Sequence, residues 1–432
     1  MSVVYAVIVI FVLTLLLMMD IYNKNERVLS FVIFFQHVPL IIFYQLGNEI
    51  IGIIYFVVVI IFYYLRNPKF KLKKSRLINP VSISIMLIFL SLFIHYFNLG
   101  IDRDNIIGYQ TFNRVIIFNV PIIILCLIGI SSNEKMLARI IEGIVLYGFV
   151  FLLTVIFVTG LSEYGISDRG LFRDDFRISP LVAAKTAGII IIANVFMLIN
   201  ETRATTRIAS FLVMVLSIAL LFVTASRGAV LFLFIAMALY FGMSAFTLYR
   251  KLLIISVAAI FIFVLYAVIN YLNLPIIERI QELQNYEQMS RYIRLEYLVG
   301  MVMRFEMGLF GLGPFGFGHQ TGLHYPHNYI AEIVVDYGLL GIASAIMFTY
   351  FGFYYSYTLI RNEYQKNSAF IAILFLYLYL TSLTSGDIVE ARHMQFVGII
   401  MANTYFYVKY ENRRNNQRAI NENHKYQTSS II

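Results

Sequence analysis

The strongest constraint on this chain is a succession of apolar runs, most of them about 17 to 22 residues long and therefore long enough to cross a bilayer as helices. They fall at 3–19, 28–46, 50–65, 77–98, 115–131, 140–160, 179–199, 208–225, 228–247, 252–272, 329–358, 368–385 and 394–408. The pattern predicts an all-α polytopic membrane protein with about 12–13 transmembrane helices. Composition agrees: 60% of the 432 residues are apolar, 13% are charged, and the mean hydropathy is +0.79, far outside the range of a soluble domain. The first run has no basic residue ahead of it and no small-residue cleavage site before Asp20, so it is expected to be a retained span and not a signal peptide. The single Cys126 sits in an apolar run and can form no internal disulfide.

Lys and Arg set the expected orientation, because short cytoplasmic loops retain them. The loops at 20–27, 66–76, 132–139, 201–207, 249–251 and 361–367, with the tail from 409, carry 21 Lys+Arg against 7 Asp+Glu. The alternate loops carry 12 Lys+Arg and 14 Asp+Glu. The first set is assigned to the cytoplasm, and the net charge of +9 is then a topology signal that gives no reason to expect nucleic-acid binding. Of the 12 outer basic residues, 11 are Arg and one is Lys185. Arginine binds phosphate bidentately and tolerates partial burial, so this bias points toward phosphate-bearing ligands.

The residues with most chemical content lie between Gly308 and Gly341. Gly308, Gly311, Gly313, Gly316, Gly318 and Gly322, with Pro314, exclude regular structure and let the backbone approach a ligand. His319, His324 and His327 follow, just before a helix can resume, and histidine titrates near neutrality. Asn328 is placed to cap that helix. Glu332 and Asp336 lie four residues apart within it and should face a polar cavity or an arginine. His324, His327 and Glu332 have a spacing a metal could use, but the surrounding guanidinium groups would repel a cation, so no metal or other cofactor is expected.

Elsewhere the signals are sparser. His37 and His95, in or at the end of apolar runs, are expected to be packing or interface residues. Outside, Arg169, Arg173 and Arg177 recur every fourth residue beside Asp174 and Asp175, which on a helix would align three guanidinium groups. Lys185 follows inside an apolar run and is by default a functional-site hypothesis. Arg227 is the one charge of a short outer turn, placed against the positive-inside rule. From Pro275 to Glu306 the pattern predicts an amphipathic helix on the outer surface, leading Arg291 and Arg294 toward the glycine loop. The tail from 409 is polar and expected to be disordered.

The turn SRGA at Ser226–Ala229, the large outer loop at 273–328, GLGPFGFG, the His327–Asn328 pair and DYGLLG together resemble the O-antigen ligase and polymerase superfamily. The resemblance is specific over roughly 220–345 and architectural elsewhere. It implies a single GT-C-like membrane domain spanning 1–432 with a helical extracytoplasmic loop carrying the site. It implies a metal-independent glycosyltransferase acting on undecaprenyl-pyrophosphate-linked glycans. Carried over by position, Arg227 is the turn arginine, Arg291 or Arg294 the loop arginine, and His327 the loop histidine; the aromatic after the loop arginine is Tyr297 where tryptophan is usual. Arg177 and Gly188 fit the arginine-x10-glycine spacing of the polymerases. With Arg173 and His324 as further substrate contacts, the arginines would hold the pyrophosphate and His327 would act as base.

The glycines would let the loop close over the substrate. The expected product is a surface polysaccharide, O-antigen or capsule, made at the outer face of a bacterial inner or cytoplasmic membrane. Expected partners are the lipid-linked oligosaccharide, membrane lipids, a chain-length regulator and a flippase. Three other functions compete: a ligase moving finished glycan to a lipid acceptor; a flippase or transporter, which would require broken helices and charges at mid-membrane; and a membrane receptor or structural protein, which would not need the glycine and histidine constellation.

Overall fold

The computed structural model describes residues 2–66, 79–99, 119–120, 123–124, 133–159, 180–224, 226–244, 249, 287–304, 307–322, 328–361, 366–384 and 391–429. Among them, helices run in the order α1 (Ser2–Tyr22), α2 (Arg27–Phe34), α3 (His37–Gln45), α4 (Glu49–Arg66), α5 (Pro80–Ile94), α6 (Glu134–Leu153) and α7 (Pro180–Asn200). They continue as α8 (Ala204–Val223), α9 (Arg227–Met243), α10 (Glu287–Met303), α11 (Gly316–Thr321), α12 (Tyr329–Ile360), α13 (Lys366–Ser382) and α14 (Arg392–Ser429). Six helices are long and apolar enough to cross a membrane, and the bent pair α2–α3 would be a seventh. The shorter α4, α9 and α13 are also apolar. The chain is thus an all-α polytopic membrane protein, and the expected spans at 115–131 and 252–272 lie almost wholly outside the described residues.

Local sequence sets several helix starts. Asn79 caps α5, its side chain accepting from Ser82 N at 2.8 Å with Pro80 at the first turn, where a missing N–H has no consequence. Asn133 caps α6 through Met136 N at 2.8 Å, and Asn328 caps α12 through Ala331 N at 3.1 Å. The tail does not leave the helix: α14 continues to Ser429, with Glu411 and Arg414 paired at 3.9 Å. No Gly or Pro occurs after Gly398, so nothing in the covalent chain stops the helix at the membrane boundary.

α7 and α13 form the middle of the bundle. In α7, 72% of the apolar window is buried, against 28% in α1 and in α8, which lie at the rim. α7 packs on α6, α8, α9 and α13, while α12 packs on α5, α13 and α14. Small residues permit the closest crossings: a Cβ on Gly143 of α6 would lie 2.6 Å from Ser30 Oγ of α2, and that hydroxyl donates to Ile140 O at 2.7 Å. Three loops of the Lys/Arg-rich set meet at one end of the bundle. There Asn367 N donates to Glu134 Oε1 at 2.8 Å, and Asn200 reaches Asn367 Oδ1 at 3.3 Å.

Two spans are broken. α2 and α3 meet at 65°, where sequence periodicity reads one uninterrupted run. Pro39 has no N–H to return to Phe35 O, and Val38 N takes that carbonyl instead at 3.0 Å, tightening the turn. α12 is broken at Gly338, whose φ of 59° and ψ of −137° lie outside helical space.

Candidate functional site

The break in α12 and the glycine loop form one object. Turning the chain at Gly338 frees carbonyls of the preceding turn, and the loop supplies the missing donors: Leu312 N to Val335 O at 3.0 Å and Gly313 N to Asp336 O at 2.9 Å. In return Leu339 N donates to Leu309 O at 2.9 Å. Such close backbone contact demands glycine on both sides. A Cβ on Gly311 would overlap the Asp336 carbonyl, and one on Gly338 would lie 2.6 Å from Leu309 O; both residues also have positive φ. These two glycines therefore serve approach to the protein's own helix, where the sequence suggested approach to a substrate.

Asp336 completes the junction. Its buried carboxylate accepts from Phe317 N at 3.0 Å, at the start of α11, while Gly316 N donates to Gly313 O at 2.9 Å. Among the described residues the acid thus accepts from a backbone donor, where the sequence suggested an arginine or a polar cavity. The loop is further held to α5, where Ser91 Oγ at 3.1 Å and His95 Nε2 at 2.8 Å both bond Phe310 O.

Of the predicted site residues, Arg173, Arg177, His324 and His327 lie outside the described residues. Arg227 is the first residue of α9, described in its backbone only; its neighbour Gly228 lies against Thr384 at the end of α13. Arg291 is likewise described in its backbone only, while Arg294, one turn on in α10, is half-buried. α10 packs on the loop junction through Met301, with Leu298 and Val302, against Phe317, Val335 and Leu312. Arg294, Leu298 and Met301 recur at helical spacing, so that arginine lies on the stripe facing the junction. His319 is exposed on α11. Asn328, directly after His327, is fixed as the cap of α12, and Tyr329 beyond it is buried with its hydroxyl accepting from Gln395 Nε2 at 3.0 Å.

Below that start lies a polar layer that the sequence only partly announces. Lys185, flagged by its depth in an apolar run, is 3% exposed in α7. Arg392 and His393 open α14, and His37 opens α3 at the break. His393 is under the electrostatic influence of Arg392, Lys185 and His37, and Arg392 also acts on His37. His393 and Gln36 belong to no motif in the sequence, and His37 lies in an apolar run where a packing role is expected. The available signal was the Gln36-His37-Val38-Pro39 run inside the second apolar segment, 28–46. Lys185 O also receives the Tyr377 hydroxyl at 3.4 Å, and a Cβ on Gly188 would overlap that tyrosine ring. The glycine of the Arg177–Gly188 spacing is thus a helix-packing residue here.

Protein-family models and curated proteins were both compared with the chain. Neither comparison gives a match. Function therefore has to be argued from the residues. The described geometry offers a rigid loop–helix junction leading from α10, a fixed attachment point at Asn328 for His327, and a buried cationic layer beneath.

Proposed function

We propose that the protein is a metal-independent glycosyltransferase that polymerises lipid-pyrophosphate-linked oligosaccharide repeat units at the outer face of a bacterial cytoplasmic membrane, contributing to an O-antigen or capsule. In this reaction an acceptor sugar hydroxyl attacks C1 of the donor glycan. The C1–O bond to pyrophosphate breaks, the hydroxyl proton passes to His327, and the lipid pyrophosphate departs with its charge held by Arg227 and by Arg291 or Arg294. One displacement of this kind inverts the configuration at C1. The donor is already activated, so an anion clamp and a base suffice, and the carboxylate pair of a glycoside hydrolase is not required.

One observation carries the reading more than any other. The residue after His327 is the hydrogen-bonded cap of a packed helix, and the helix bearing Arg294 docks on the same junction. A base needs such fixed attachment, because a small misplacement lowers the rate steeply. The decisive experiment incubates the protein in nanodiscs with lipid-linked repeat units. A ladder of polymer is expected from the wild type and none from His327→Ala at equal protein level; wild-type ladders from His327→Ala would overturn the base assignment. Single transfer to a lipid acceptor without a ladder would identify a ligase.

A transporter reading gains one specific support, the 65° break between α2 and α3 with buried polar residues at the bend. Translocation of labelled lipid-linked glycan across proteoliposomes, without formation of a new glycosidic bond, would establish it in place of the enzyme.

A further inference from the structure

We infer that α10 is an interfacial helix whose stripe of Leu295, Val299 and Met303 is immersed in the acyl chains of the leaflet at the end of the bundle opposite the Lys/Arg-rich loops. This membrane contact goes beyond the proposed reaction and does not depend on it. The three residues recur every fourth position and so share one face of α10. They are 59%, 49% and 81% exposed. Their neighbours on the helix are packed: Leu298, Met301 and Val302 lie against Leu312, Phe317 and Val335. α10 thus carries one broad apolar arc, part of it covered by the loop junction and the rest bare among the described residues. Beyond the arc come Glu296, Tyr297 and Arg304, all exposed. An apolar arc wider than the helix's contact with protein, bordered by polar groups, is the pattern of a helix lying in a membrane interface.

The level at which α10 docks chooses the occupant. On α12, Leu339, Ile346, Tyr350 and Tyr357 are exposed and fall at i, i+7, i+11 and i+18, on one face. α12 is among the helices long and apolar enough to cross a membrane, so this file is a lipid-facing side of the bundle. Leu339 stands at its head, directly after the break at Gly338. Leu339 N donates to Leu309 O at 2.9 Å, which brings Leu309, itself exposed, to the same place. The hydrocarbon therefore begins at the loop junction. α10 docks on that junction through its C-terminal half, and Val335, which it touches, is four residues before Leu339. Val299 and Met303 belong to that same half and thus stand at the level where hydrocarbon begins. A protein partner fits the stripe less well, because three side chains on one helix face fall far short of the roughly 20–30 residues that each side of a stable interface contributes. Water would leave all three unburied, whereas acyl chains remove them from it. Immersion of the stripe fixes α10, and with it the glycine loop, at the lipid–water boundary.

The test places one Trp at a time in the full-length protein, reconstituted in nanodiscs of phosphatidylcholine with or without bromine on the acyl chains. The chain has no native Trp, so each variant reports a single position. Ile346→Trp, in the lipid-facing file of α12, sets the signal for full acyl contact. Tyr297→Trp, on the side of α10 away from the stripe, sets that for the polar face. Val299→Trp and, as a second position, Met303→Trp should emit to the blue of Tyr297→Trp. Bromine should quench them at least about half as deeply as Ile346→Trp, because an interfacial helix sinks its apolar face roughly 5–10 Å into the headgroup–acyl boundary. Both positions are exposed, so neither substitution enters the packing of Leu298 and Met301. If neither is quenched, the inference is overturned: red emission would put the stripe in water, and blue emission would put it against a second copy or another protein. Equal quenching of Tyr297→Trp would sink the whole helix in acyl chains and overturn its interfacial placement. An unquenched Ile346→Trp overturns it as well, by removing the lipid-facing file at whose head α10 docks. Failure here is distinct from that of the enzymatic reading. Polymer ladders without quenching would remove this membrane contact alone, and quenching without ladders would remove the polymerase alone.

Discussion

The two broken spans, α12 and α2–α3, solve the same problem in opposite ways. Each interrupts a helix inside an apolar run, and each leaves polar groups where a bilayer interior supplies no water. At Gly338 the freed groups are answered from within the chain, carbonyls by Leu312 N and Gly313 N and the Asp336 carboxylate by Phe317 N. At the α2–α3 break the backbone is repaired through Val38 N, but Gln36 and His37 keep buried side-chain atoms without partners among the described residues. A break that satisfies itself is architecture. A break that leaves side-chain donors buried without partners among the described residues holds polar groups that the local backbone does not answer.

If the α12 junction is architecture, damage to its backbone contact should be the most harmful change in this pair of regions. Gly338→Ala and Gly311→Ala each place a methyl group into the opposite backbone at a positive φ. Neither neighbour can yield without breaking the hydrogen bonds it makes. A loss of about 3 kcal/mol or more is expected, visible as a large fall in monodisperse yield and in unfolding temperature. Near-normal stability of both variants would show that the two segments can separate, and the contrast with α2–α3 would collapse.

Much of this architecture is legible in the sequence, and the reason is physical. Apolar runs sized to a bilayer leave a helix as the only economical conformation, so the eleven expected spans on described residues each coincide with helix, although two are broken. Caps such as Asn328 are also local events and were readable. The bend at Phe35–Gln36 was masked because Pro39 sits in an otherwise unbroken apolar run, and window hydropathy does not register a missing N–H. The partnership of Gly311 with Gly338 is tertiary: each glycine is visible, but what it approaches is not. The same holds for His37, Lys185 and His393, which come from three helices far apart in the chain. Sequence spacing favoured the compact His319–His327 cluster because only that cluster was contiguous.

Asp336 tests the comparison at the next level of effect. Asp336→Ala would strand the N–H group of Phe317 in a buried position, at about 1–3 kcal/mol. Asp336→Asn keeps one acceptor oxygen of the same reach and should recover about half of that loss. Thermal unfolding of the two variants beside the wild type gives the order. If alanine and asparagine are equally harmful, negative charge and not hydrogen bonding holds the junction. If neither matters, the carboxylate has a task beyond the fold.

The smallest effect is expected at Ser91, and it bears on how firmly the junction is determined. Phe310 O accepts from both Ser91 Oγ, at 3.1 Å, and His95 Nε2, at 2.8 Å. Ser91→Ala leaves the shorter bond in place, so the carbonyl stays satisfied and the loss should not exceed about 1 kcal/mol. Removing both donors, in Ser91→Ala with His95→Phe, strands the carbonyl and should cost more than the two single changes together. A double-mutant cycle on unfolding temperature measures that excess directly. Simple additivity would mean that the loop is held mainly by its contact with α12, placing the whole difference between the two breaks in the backbone bonds around Gly338.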